Sequence, residues 1–274
     1  MIVFGGIRAR RRIYRRSGDM TMKVAVLVKQ TPQLSEVSWS SNELSWPDDA
    51  RVVNPFDEYA VEEAIRIKEK TGGTAVAVSY GSSEAESALR DVLALGMDEA
   101  YHIVSDQYSA TDPQSNAAVL AAGIKKIGDV DLVLTGKQAC DDDSALVASS
   151  VAAHLDWPLV GFVKKFETVE DSRVVAWRTS DSGHDVVEAQ LPAVCSVVKE
   201  INEPRLPSLK GKLKAKKAPI ENLSPADLGY KASPTIEIKS INPPPARTQG
   251  EILQGELDEV VDTLIKKLKA DKLI

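Results

Sequence analysis

The sequence predicts an α/β protein, doubly wound around a mainly parallel sheet, with an antiparallel extension and a C-terminal arm. Three observations predict it. Short apolar runs alternate with helical patterns between residues 23 and 155, as expected for βαβ crossovers whose strands are buried on both faces. From about Leu159 the pattern changes to closely spaced β-rich segments with polar turns, which reads as antiparallel pairing. Beyond Asp227 the chain turns extended and proline-rich, then ends in one amphipathic helix.

Taken in order, the first strand covers residues 23–29, and a polar stretch containing Trp39, Trp46 and Pro47 follows. Asn54, Pro55, Phe56 and Asp57 open an acidic first helical turn. The helix continues through Glu69 until Thr71, Gly72 and Gly73 stop it. A second strand at 75–79 ends at Tyr80, and a helix over 84–95 is closed by Gly96. Then come a strand at 101–104, a helix over 114–127 and a strand at 131–135. Gly136 turns the chain, and Asp141, Asp142, Asp143 and Ser144 lead into a helix of small and apolar residues over 145–155. Asp and Ser are favoured N-caps, so capping explains these residues. A strand feeding a helix N-terminus is also where nucleotides bind in α/β sheets, so a ligand site explains them too.

Segments 162–169, 173–178, 186–190 and 193–198 read as consecutive strands. Segment 210–217 holds five lysines and no acid, with Leu206, Leu209 and Leu213 interleaved or just before it. It reads as a solvated basic loop, or as one that grips a partner's pocket while its charges steer the approach. In the last helix, over 256–268, positions 257, 260, 261, 264, 265 and 268 form one apolar stripe. It packs either on a partner or back on its own domain.

Net charge −6 points away from nucleic acid and anionic membranes, and no apolar run nears the roughly 18 residues of a membrane span. Cys140 and Cys195 match no metal spacing, His102, His154 and His184 are scattered, and a reducing compartment is expected. Ser180, Ser182 and His184 fall in a hairpin turn with no third partner, and no Walker or G-x-G-x-x-G motif is present. Residues 1–21 form an Arg-rich leader. A start assigned upstream of Met20 or Met22 explains it, as does a transit peptide, and disorder is expected before Met20.

Four blocks taken in order resemble the β subunit of electron-transfer flavoprotein. They are residues 54–64, residues 136–143, residues 191–194 followed by Asn202, Glu203, Pro204 and Arg205, and residues 214–217 followed by Asp227, Leu228 and Gly229. The resemblance runs from about Met22 to Ile274 and includes residues 243–248 of the tail. It implies an adenine-nucleotide α-hydrolase-like, Rossmann-like domain over 22–228, with a recognition loop at 202–217 and an arm over 229–274 that packs on a partner subunit. It also implies an electron carrier subunit that catalyses no bond chemistry and forms a heterodimer with an α subunit carrying most of the FAD site. AMP would lie in a crevice lined by Leu27, Asn54, Pro55, Phe56, Asp57, Tyr80, Gln138, Ala139, Cys140, Asp141, Asp142, Asp143, Ser144, Ala145, Leu146, Val147, Ala148 and Ser149. Arg178 would reach the flavin and favour its reduced, anionic forms.

The resemblance further implies partner contacts at Leu206, Leu209, Leu213, Lys214 and Lys217, with Leu209 as the anchor. Acyl-CoA dehydrogenases would donate electrons and a membrane quinone reductase (ETF-quinone oxidoreductase) would accept them, in the cytoplasm or, in a eukaryote, the mitochondrial matrix. Two departures stand out. Residues 145–149 replace a polar family stretch, leaving backbone N–H groups and Ser144 or Ser149 to meet a phosphate. Gln33 and Leu34 replace an aromatic beside the flavin. An electron-bifurcating relative with a second FAD in the crevice, and a stand-alone adenine-nucleotide-binding protein, are the alternatives.

Overall fold

The computed structural model describes residues 2–3, 21–40, 43–109, 112–230, 235–243 and 250–274. The principal elements are β1 (Lys23–Leu27), α1 (Pro55–Thr71), β2 (Thr74–Gly81), α2 (Glu86–Leu95), β3 (Glu99–Val104), α3 (Pro113–Ile127), β4 (Leu132–Gly136) and α4 (Val147–Leu155). They continue with β5 (Leu159–Val169), β6 (Arg173–Ser180), β7 (Gly183–Gln190), β8 (Ala193–Val197), α5 (Leu209–Ala215), β9 (Glu221–Leu223) and α6 (Leu257–Ala270). The sheet runs β7-β6-β5-β8-β4-β1-β2-β3-β9, and Ile2–Val3 lies parallel beside β7. The rest of the leader, to which the expected disorder applies, falls outside the described residues.

The expected doubly wound sheet is present. Apolar residues on one face of β1, β2 and β4 pack under α1 and α2, and those on the other face pack under α3 and α4. Continuous Val, Ala and Leu runs in these strands follow from that two-sided burial. The chain moves outward from β1 to β2 and β3, then returns to place β4 on the other side of β1. This reversal makes the C-terminal ends of β1 and β4 the topological switch point, where α/β sheets leave a crevice.

Three expectations need correction. The strand at 193–198 does not extend the antiparallel run; β8 inserts between β4 and β5 and is parallel to both. Only β5, β6 and β7 form the antiparallel extension. The segment read as a basic loop contains a helix, α5, whose N-cap Ser208 accepts the Gly211 N–H at 3.0 Å. The expected helix at 145–155 starts later, at Val147 with Leu146 as N-cap, and no side chain caps it. β9, paired parallel to β3, was not expected from the sequence.

After Tyr230, the described tail is anchored where Thr235 donates from its N–H and hydroxyl to Asp112, the residue that also caps α3. α6 buries none of its residues, and Leu257, Val261, Leu264 and Ile265 are exposed. The apolar stripe therefore forms as expected, but no burial of it is seen among the described residues.

Candidate functional site

A cleft enclosing about 650 Å³ of empty space, its open mouth included, lies at the switch point. Its floor is the C-terminal end of three parallel strands: Leu27 and the following Val28 and Lys29 of β1, Tyr80 of β2, and Thr135 and Gly136 of β4. One wall is the start of α1 with Asn54 and Asp57, and the other is the segment from Lys137 to Ala148 leading into α4. Leu120, Tyr108 and Leu146 add apolar surface, and Tyr108 packs edge-on against Tyr80 at 5.2 Å.

Two buried polar residues build this place. Asp57 is buried, with Oδ2 accepting the Lys29 N–H at 2.8 Å and Oδ1 the Gly136 N–H at 3.1 Å. It thereby ties the ends of β1 and β4 to the first turn of α1. Burial pushes its carboxyl up to about 7, against the pull of these donors and of Asn54. Gly136 is required for this approach, because a Cβ there would lie 2.6 Å from Asp57 Oδ1 and from the Phe56 carbonyl carbon. Asn54, also buried, donates to the Gln138 carbonyl at 2.9 Å and accepts the Cys140 N–H at 3.2 Å. The turn after β4 is thus pinned to α1.

The aspartates do something other than cap. Lys29 Nζ pairs with Asp141 at 2.7 Å and lies 3.8 Å from Asp142. Asp142 accepts from the Ser144 N–H and hydroxyl, and Gln138 donates to Asp143. Asp143 and Ala145 both adopt left-handed backbone conformations, with φ of 55° and 54°. Two such residues flanking Ser144 end the turn abruptly and keep the aspartates out of the helix. The amino end of α4 is consequently left open beside the cleft, with Ala148 buried and small. Its N–H groups are suited to an anion, and the apolar wall to a flat ring.

A family model described as electron transfer flavoprotein domain matches residues 47–228. The chain belongs to that family. Within it, the chain sides with the β subunits. It is 38% identical over 264 residues to a caffeyl-CoA reductase-Etf complex subunit, CarD, of Acetobacterium woodii, covering 92% of this chain and all of the relative. It is 36% identical over 263 residues to an electron transfer flavoprotein subunit beta of Thermoanaerobacterium thermosaccharolyticum, with the same coverage. To the subunit beta of Homo sapiens it is 38% identical over 220 residues, covering 79% of this chain and 84% of that one.

Of the residues the flavoprotein resemblance assigns to the crevice, Leu27, Asn54, Asp57, Tyr80, Gln138, Ala139, Asp142, Ser144, Ala145, Leu146, Val147 and Ala148 line the cleft. Pro55, Phe56, Cys140, Asp141, Asp143 and Ser149 do not line it. Cys140 turns towards Thr31 Oγ1, at 3.4 Å, and burial raises its thiol pKa. Lining residues that the sequence reading missed include Lys29, Tyr108, Asn116, Thr135, Gly136 and Lys137. Lys29 and Gly136 are signalled by standing at strand ends, and Asn116 by the first turn of α3; Tyr108 arrives by the preceding loop, whose course no local pattern gives.

Arg178 stands apart from the cleft. Gly136, Val197, Val163 and Arg178 pair in turn across β4, β8, β5 and β6, forming one lateral row. Three interstrand gaps put Arg178 about 14 Å from the cleft floor. Its Nε is buried and has no hydrogen-bond partner among the described residues, so the guanidinium retains an unused donor.

The basic segment is presented outward. Leu206 is 90% exposed, Leu209 76% and Leu213 58%, while Lys214 and Lys217 are exposed beside them. No helix among the described residues is long and apolar enough to cross a membrane.

Proposed function

We propose that this chain is the electron-carrier β subunit of a heterodimeric flavoprotein, binding AMP in the cleft and completing the FAD site of an α subunit. The open amino end of α4, facing an apolar cleft at the switch point, carries this reading. In it, N–H groups of residues 147–149 hold the phosphate, and Leu27, Tyr108 and Leu146 flank the base. Arg178, part-exposed on β6, faces the flavin of the α subunit, where a fixed cation favours the anionic reduced forms. The FAD supplies the one-electron chemistry when bound; this chain orients and tunes it. Exposed Leu209 and its neighbours dock acyl-CoA dehydrogenases, and the reduced complex delivers electrons to a membrane quinone reductase. The stripe on α6 packs on the α subunit.

Similarity to a subunit of a caffeyl-CoA reductase complex favours a second reading. There the cleft holds a second FAD and the complex bifurcates electrons. Nucleotides released from the purified heterodimer separate the readings. One FAD and one AMP per pair support the shuttle, and two FAD overturn it in favour of the second reading. A stable monomer that holds adenine nucleotide and takes up no flavin with any α subunit overturns both.

A further inference from the structure

The helix α5 is amphipathic in the reverse of the usual sense. Gly211 and Ala215, one turn apart, form its inner face, and Leu209 and Leu213, offset by two residues, form the outer one. Three contacts hold it in that orientation. A Cβ on Gly211 would lie 2.3 Å from the Ala94 carbonyl oxygen at the end of α2, so the helix sits as close as a glycine permits. Arg90 of α2 donates to the carbonyl oxygens of Ala215 and Ala218, fixing the carboxyl end of α5. At the other end Arg205 forks between Glu62 and Glu69 of α1. Nε lies 2.8 Å from Glu62, and the two terminal nitrogens lie 2.7 and 3.1 Å from Glu69. Glu62 is itself buried and also held by Arg66 at 2.6 Å, so this is a braced ion-pair network and not a loose surface pair.

We propose that Arg205, Gly211 and Arg90 are positioning residues that preset α5 for docking. They hold Leu206, Leu209 and Leu213 outward for an apolar pocket with an acidic rim on the electron-donating flavoenzyme. This rests on the docking reading above and adds that the surface is rigid before the partner arrives. Five lysines without an acid between Leu206 and Lys217 define the charge of that rim. Presetting matters because a mobile segment would have to be ordered on every encounter, which costs affinity with no change in contacts.

Gly211→Ala tests this with opposite signs for the two possibilities. In a free helix the change raises helix propensity and slows amide exchange; in a docked one the new methyl meets Ala94. The expected result is faster amide exchange over residues 209–217. Flavin reduction in the holo heterodimer by a substrate-reduced acyl-CoA dehydrogenase should be about tenfold slower. Flavin content should be unchanged. Arg205→Lys keeps the charge and loses the fork; it should raise the dehydrogenase concentration needed for half-maximal rate and leave the maximal rate in place. Slower exchange in Gly211→Ala, or unaltered reduction kinetics in both variants while Leu209→Ala slows reduction, overturns the positioning role alone. If Leu209→Ala also reacts at the unmodified rate, the docking reading fails, and the proposal with it.

Discussion

Asp57 Oδ1 accepts the Gly136 N–H at 3.1 Å, joining the first turn of α1 to the end of β4 beneath the cleft. The carboxyl is buried, and its folded pKa, near 7, lies above the ordinary 3.8. The folded chain therefore binds this proton more tightly than the unfolded chain. The resulting stability is full below about pH 3.8 and is lost as pH rises through 7, on the order of 4 kcal/mol across the window. Asp57→Asn should remove this slope. The stability difference between the two proteins, followed by denaturant titration from pH 4 to 8, should change steadily; a constant difference refutes the linkage.

Gly136→Ala should be strongly destabilising, by about 2–3 kcal/mol, since the added methyl meets backbone and carboxylate that are already packed. Thermal unfolding of the purified protein measures it. A loss under 1 kcal/mol would mean that α1 shifts freely.

Asn54→Ala removes both tethers to the turn after β4 and leaves buried groups unpaired. A stability loss of about 2 kcal/mol is expected, with faster release of the cleft nucleotide. Amide exchange at Cys140 should rise; unchanged protection there would show the turn to be held by other contacts.

Ala145 holds φ 54°, where a side chain is disfavoured and glycine is not. Ala145→Gly should stabilise the protein by about 0.5–1 kcal/mol, partly offset by a freer unfolded chain. Calorimetry decides the sign, and a lower melting temperature would count against left-handed strain at this position.

Leu264→Asp with Ile265→Asp should leave the fold of this chain unaltered, because α6 buries nothing within it. Association with the α subunit should weaken by at least an order of magnitude. Native mass measurement of the mixed subunits reads both effects, and an intact heterodimer at low concentration would send the stripe to another partner.

The strands β1, β2 and β4 and helices α1 to α3 were legible because two-sided burial and a 3.6-residue period leave local marks. The flavoprotein resemblance assigned Leu27 and Tyr80 to the crevice, and both lie at or near the C-terminal ends of strands that this pattern marks. The place of β8 was not. An apolar run from Ala193 to Val197 looks the same whether it joins a hairpin or slots between distant parallel strands. The delayed start of α4 was hidden because Asp143 and Ala145 carry no glycine signal for their left-handed turns. Helix α5 escaped because its large apolar residues face outward and a glycine interrupts it, so periodicity pointed away from burial.

The row from Gly136 through Val197 and Val163 to Arg178 is made of backbone pairing, so its length is set by peptide geometry and hardly by side-chain choice. On the proposed reading it works as a ruler. A nucleotide seated at one end stiffens the zero mark, and the arginine at the other end is held at a constant reach towards a redox centre in a separate polypeptide. A molecule that takes no part in electron transfer would then still govern it, by keeping the scale from stretching.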